Sequence, residues 1–149
     1  MCIFSQSVES VSKTRIFARL EGDTQYLAYQ MNYQSTVDLA MILPIPGDNV
    51  EFINLEEYPG FFKTLDSFFP KPATKGLLLS RGIDTLEVHN VGSFVASFVP
   101  TLKDFSRLDP QFTLSPVIWD KIPAYSSYGF VVFQLKPQNT TVHPMAFKF

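Results

Sequence analysis

Cys2 is the only cysteine of the chain and stands one residue from its start, in MCIFSQSVES. Removal of Met1, which a small second residue permits, would make Cys2 the N-terminal residue. Its thiol would then be a nucleophile and its own α-amino group the base, because that amine has an unperturbed pKa of about 7.7–8.0 and takes a proton near neutrality. Arg15, in a nearby strand, would stabilise an oxyanion or hold a substrate carboxylate. This is the chemistry of amide hydrolysis by an N-terminal cysteine. Two features weigh against it: enzymes of that kind are usually larger than 149 residues, and their other polar residues are not recognisable here. The plain alternative is a small apolar residue packed in a first strand, MCIF.

The remaining chemistry-bearing residues are sparse. His89 in LEVHNV and His143 in VHPMAF could join Cys2 and an acid in a tetrahedral metal site, but no pair has ligand spacing such as C-x-x-C, so no metal and no cofactor is expected. Glu56 and Glu57 are adjacent and point in different directions on a helix, which makes them a poor acid/base dyad. Asp104 and Asp109 read as helix-start and turn residues. The glycines are isolated, so there is no phosphate-binding loop, and no nucleophile elbow supports a Ser-His-Asp triad. The loop WDKIPAYSSYG (119–129) sets Trp119, Tyr125 and Tyr128 beside Ser126 and Ser127. Amphipathic aromatics with small hydroxyls are common on recognition surfaces, so these three are the candidate binding residues; the alternative has Trp119 plugging the core with the tyrosines at its edge.

Charge excludes more than it suggests. The formal net charge is −2, without a basic run, so phosphate neutralisation on nucleic acid and polybasic attachment to a membrane surface lack support. The longest uncharged apolar run, LAMILPIPG, is too short to span a bilayer. The N-terminus turns polar after four residues and a single cysteine suits a reducing compartment, so the cytoplasm is the default expectation. With 46% hydrophobic residues and fifteen phenylalanines, the chain is expected to pack one sizeable core.

The elements that position these residues follow from periodicity. TRIFARL (14–20) and QYLAYQMNY (25–33) flank a Glu-Gly-Asp turn and predict a β-hairpin. VDLAMIL (37–43) predicts a central strand closed by Pro44-Ile45-Pro46-Gly47, and VEFINL (50–55) a shorter one. Phe61, Phe62, Leu65, Phe68 and Phe69 fall at helical spacing, with Pro59 in the first turn, Pro70 at the end, and Glu56 and Glu57 complementing the dipole. LEVHNVGSFVASFV (86–99) predicts a strand with a bulge or turn at Gly92. TLKDFSRLD and PVIWDK predict two short helices. YGFVVFQLK (128–136) and VHPMAFKF (142–149) predict two strands joined by a polar loop, PQNTT.

Cys2, LPIPG (43–47), FFKTLDSFFP, VGSF (91–94), WDKIPAYSSYGFVVFQLK (119–136) and HPMAF (143–147) together resemble a family of bacterial proteins of unknown function. The resemblance spans most of the chain. It implies an α+β domain, often exported and carrying a longer C-terminal part, whereas this sequence has no export signal and ends where relatives continue. It implies no activity, substrate or cofactor.

The expectation is thus one α+β domain over residues 1–149, complete or the N-terminal part of a longer chain. It has a mainly antiparallel sheet of about seven strands, one Phe-rich helix and two short helices. Its expected role is binding or assembly, through a protein partner or a second copy joined at an edge strand such as the C-terminal one, with no nucleic acid and no membrane. The alternative is an amidohydrolase using Cys2 and Arg15.

Overall fold

The computed structural model describes residues 2–69, 95–142 and 144–149. The expected strand over 86–94 with Gly92, the helix stop at Pro70, and both histidines, His89 and His143, lie outside the described residues. Within them the chain runs β1 (Ile3–Phe4), β2 (Ser10–Glu21), β3 (Thr24–Ser35), β4 (Leu39–Ile45), β5 (Glu51–Ile53), α1 (Phe61–Phe68), β6 (Ala96–Val99), α2 (Pro116–Asp120), β7 (Gly129–Leu135), β8 (Gln138–Thr141) and β9 (Met145–Lys148). Short 3-10 segments cover Leu102–Arg107, Pro110–Phe112 and Pro123–Tyr125. Every strand pairing is antiparallel, so the protein is α+β with antiparallel sheets.

The strands divide over two sheets. Sheet I has the order β1-β4-β7-β6, and sheet II the order β2-β3-β9-β5, with β8 also on β3. The division follows from β4 and β7, which are buried on both faces. Alternate side chains Leu39, Met41, Leu43 and Ile45, with Val131, Phe133 and Leu135, meet Met31, Tyr33, Met145 and Phe147 of sheet II in the inter-sheet core. The intervening residues Ala40, Ile42, Phe130 and Val132 face the other way and are covered by Phe105, Phe112, Leu114 and Trp119. The result is four layers: α1, sheet II, sheet I, and the short helices.

Local sequence explains most elements. The β2–β3 hairpin closes through Gly22 and Asp23 between paired Glu21 and Thr24, and Gly22 has φ +59, which a residue with a side chain rarely adopts. Near its other end β2 carries a bulge: residues 13 and 14 oppose Met31 alone, and Lys13 takes φ 50. Strand β4 runs through Pro44 to Ile45 instead of stopping before the proline. Ser5 and Ala40 exchange a main-chain bond on the β1 side of β4, so Pro44, four residues on, directs its missing N–H past the first paired residue of β1, Ile3.

Three further differences from the sequence reading have clear causes. PQNTT is not a loop: Gln138–Thr141 forms β8 by main-chain pairing with Asn32–Ser35, which apolar periodicity does not report. The helix α1 starts one residue after Gly60, and Glu56 and Glu57 lie outside its first turn. The Glu56 N–H donates to Asn54 Oδ1 at 2.9 Å and the Tyr58 N–H to the Leu55 carbonyl at 2.9 Å, so this stretch is a turn. Of the predicted apolar stripe only Phe62 is buried; Phe68 and Phe69 are 75% and 64% exposed. Phe69, which precedes Pro70, is extended, as a residue before proline prefers.

Gly129 opens β7 where no side chain fits. A Cβ there would lie 2.6 Å from the Gly47 carbonyl oxygen and 2.8 Å from the Phe98 ring. Gly129→Ala is expected to destabilise the fold by about 1–3 kcal/mol, measured as a lowered urea midpoint at unchanged slope.

Candidate functional site

Strand β1 fixes Cys2. Ile3 and Phe4 pair with Ile42 and Met41. Ser5 then donates its N–H to the Ala40 carbonyl at 2.9 Å, and its Oγ accepts the Ala40 N–H at 2.9 Å and donates to the Gln111 carbonyl at 2.9 Å. Alternation along this segment sends Phe4 and Cys2 toward the inter-sheet core and Ile3 toward the core on the far face of sheet I. Cys2 is half-buried, and the Tyr29 hydroxyl donates to its Sγ at 3.5 Å. Burial first, and then this bond and the neighbouring thiol, hold the Tyr29 hydroxyl protonated well above the ordinary tyrosine range.

Arg15 lies on the other face of sheet II. It pairs with Gln30, one position out of phase with Tyr29, so its side chain points to the α1 layer. There it forms an ion pair with Asp66, and its guanidinium carbon lies 5.2 Å from the centre of the Phe62 ring. Arg15 therefore clamps α1 to the sheet. The structure brings Tyr29 to Cys2 and Asp66 to Arg15, and leaves Cys2 and Arg15 separated by the sheet.

The aromatic loop also divides. Trp119 is 9% exposed and sits 5.0 Å from Phe130 and 5.1 Å from Phe105, ring centre to ring centre. It is a core residue whose margin lines an open cleft of about 450 Å³ with Leu102, Phe105, Leu108, Leu114 and Asp120. Tyr125 and Tyr128 do not line that cleft. They are half-buried at the edge of the same core and meet edge to face at 5.3 Å.

The C-terminal strand is not an edge. β9 lies between β3 and β5, and Gln25 and Phe149 exchange both main-chain bonds at 2.8 and 3.0 Å. The long exposed edge is β2, paired among the described residues with β3 alone. Its geometry follows from β3. Gln25 bonds to Phe149, and the Met31 carbonyl accepts from Val142, so odd-numbered residues of β3 turn their main-chain groups to the β8/β9 side. Even-numbered ones turn to β2, where they meet Arg15, Phe17, Arg19 and Glu21. Ile16, Ala18 and Leu20 consequently direct their N–H and C=O groups outward. Their side chains lie on the inter-sheet face of sheet II, opposite Tyr29, Leu27 and Gln25, yet Ile16 is 59% and Leu20 67% exposed. Among the described residues only the two-residue strand β1 borders sheet I on that side, so β2 overhangs it. On the opposite face a cleft of about 470 Å³ runs between β2 and α1, lined among others by Arg15, Phe17, Phe62, Asp66 and Phe69.

The sequence reading missed Tyr29, Asp66 and the Ile16/Leu20 pair. Apolar side chains on both phases of TRIFARL, with Ile16, Ala18 and Leu20 on one and Phe17 on the other, were the available signal for an edge apolar on both faces. Among the described residues no group of histidine, cysteine, aspartate and glutamate side chains is placed to hold a metal, and no helix is long and apolar enough to cross a membrane. No family model matches the chain, and no solved structure matches it.

Two outcomes test these assignments. Tyr29 is held neutral in the folded state, so its contribution to stability is complete below the unfolded tyrosine pKa of about 10 and is lost as pH rises above it. Tyr29→Phe should therefore flatten the decline of the urea midpoint at alkaline pH. Trp119→Ala should cost about 3–5 kcal/mol as a core truncation, against less than about 1 kcal/mol for Tyr125→Phe, both read by chemical denaturation.

Proposed function

We propose that this chain is a binding or assembly domain that takes its protein partner by strand addition at β2. The observation that carries this reading is the run of outward main-chain groups at Ile16, Ala18 and Leu20, flanked by exposed Ile16 and Leu20 side chains. Unpaired N–H and C=O groups in register are a template for another strand, and proteins usually blunt such edges with bulges, charges or cover. The bulge at Lys13 blunts the first part of β2; from Arg15 to Glu21 the strand is regular and, among the described residues, uncovered, and its charges, Arg15, Arg19 and Glu21, are of both signs. An added strand would satisfy the main-chain groups, shield the overhanging apolar side chains, and reach the cleft beside α1 with its own alternate residues. Specificity would come from that cleft, which offers Arg15, Asp66 and the Phe62 and Phe69 rings.

Hydrogen exchange at individual amides tests the reading directly. In the assembled protein isolated from its source, the amides of Ile16, Ala18 and Leu20 should exchange slowly; in the chain diluted to monomer they should exchange at rates close to those of an unstructured peptide. Fast exchange of all three in the assembled protein overturns the reading.

A further inference from the structure

From the charge pattern of the same edge we infer that the strand added to β2 is β2 of a second copy, paired antiparallel about a two-fold axis through Ala18. This rests on the strand-addition reading above and narrows it to one occupant.

The inference comes from register. Outward-facing residues must pair with outward-facing residues, so a symmetric pairing of the two edges is restricted to centres that keep Ile16, Ala18 and Leu20 in phase with their counterparts. Centring on Ala18 sets Ala18 against Ala18 and Ile16 against Leu20, each pair exchanging both main-chain bonds. The residues between them fall in non-hydrogen-bonded pairs, where side chains approach most closely. There Arg15 meets Glu21 of the second copy, and Phe17 meets Arg19 of the second copy. The stretch RIFARLE is thus complementary to itself when read antiparallel about its middle residue. The neighbouring centres are not. Centring on Phe17 sets Arg15 against Arg19, and centring on Arg19 sets that arginine against itself; like charges directly opposite are destabilising. Centring on Leu20 sets Arg19 against Glu21 but leaves only Arg19 to Glu21 to pair before the Gly22 turn, so charge and the length of the regular run together select the Ala18 register.

The surroundings agree with it. Arg15, Phe17, Arg19 and Glu21 share the face that carries α1, so Arg19 and Glu21 of the second copy would lie along the cleft that holds Arg15 and Asp66, one charge of each sign against one of each sign. On the other face Ile16, Ala18 and Leu20 of each copy become cross-strand neighbours, which joins the overhanging apolar residues into one shielded strip. The paired run from Arg15 to Glu21 lies between the Lys13 bulge and the Gly22 turn, the part of the edge that is regular.

The test is the solution mass of the whole chain, by light scattering at micromolar and near-millimolar concentration, with register-specific variants. Wild type should have twice the chain mass. Ala18→Pro removes an outward N–H without touching the β3 ladder and should give a monomer with a native circular-dichroism spectrum. If Ala18→Pro fails to fold, Glu21→Arg carries the same test: exposed and placed against Arg15, it should raise the dimer dissociation constant at least about tenfold. Register is read by cross-linking in a Cys2→Ala background. Ala18→Cys sets two sulfur-bearing residues in a directly opposed pair with Cα atoms about 5.5 Å apart, and should oxidise to a disulfide-linked dimer. Leu20→Cys lies about 14 Å from its own counterpart and should not. A wild-type chain that stays monomeric, with no Ala18→Cys cross-link, overturns the self-pairing; protection of the edge amides by another protein would then leave strand addition standing without it. A dimer that survives Ala18→Pro or Glu21→Arg and leaves Ala18→Cys unlinked overturns the self-pairing, and fast exchange of the edge amides within that dimer overturns strand addition as well.

Discussion

Strands β4 and β7 carry apolar side chains on both faces, and sheet I therefore has to be covered twice. The rest of the architecture answers that requirement. One face receives sheet II, through Met31, Tyr33, Met145 and Phe147. The other receives the segment from Leu102 to Tyr128, whose short helices deliver Phe105, Phe112 and Trp119 and whose connecting residue Leu114 packs beside them. A fully buried aromatic or aliphatic side chain contributes about 1.5–3 kcal/mol relative to exposure, so residues such as Phe130 and Phe147 dominate the energetics over any surface ion pair. Sheet II needs less on its outer face, where Ala28 and Ala146 present little surface and α1 covers them with Phe62.

The same packing creates the overhang. Sheet I ends on one side in β1, two residues long, whereas sheet II ends there in β2, twelve residues long. Among the described residues a two-residue strand cannot cover a twelve-residue one, and the uncovered strip falls on Ile16 and Leu20. The β2 main chain is left outward because β3 is already paired on its other side by β8 and β9, so among the described residues β2 stands at the end of the ladder. Arg15 links this edge to α1 through Asp66 and the Phe62 ring, so the helix and the edge form one unit. With both side chains of that ion pair substantially exposed, its worth lies in placement more than in stability.

Cys2 illustrates how position in the chain and position in the fold diverge. By sequence it is the residue with most chemical promise, because it can become a terminal nucleophile. In the fold it is a half-buried side chain on the inter-sheet core, next to a tyrosine whose hydroxyl stays protonated. Arg15, assigned to the same chemistry on the strength of a nearby strand, is separated from it by the thickness of a sheet. The two belong to neighbouring strands of the sequence but to different layers, because β1 pairs with β4 and β2 with β3, and the phase of the β2–β3 pairing, with its bulge at Lys13, turns Arg15 away from the inter-sheet core.

The sequence by itself determined the local elements and the class: the hairpin at Gly22, the central strand VDLAMIL, the Phe-rich helix, and the antiparallel α+β character, since these follow from periodicity of two or 3.6 and from turn chemistry within a few residues. It also carried the continuous apolar run that buries Phe130, whereas Trp119, whose apolar neighbours Val117 and Ile118 are exposed, is placed inside by the fold. Only the tertiary structure decided that the strands form two sheets, that the polar PQNTT pairs with β3, that β9 is internal, and that β2 is an edge among the described strands. Those outcomes depend on main-chain hydrogen bonds between residues far apart in the chain. Main-chain groups are the same for every non-proline residue, so their pairing leaves no mark in the order of side chains.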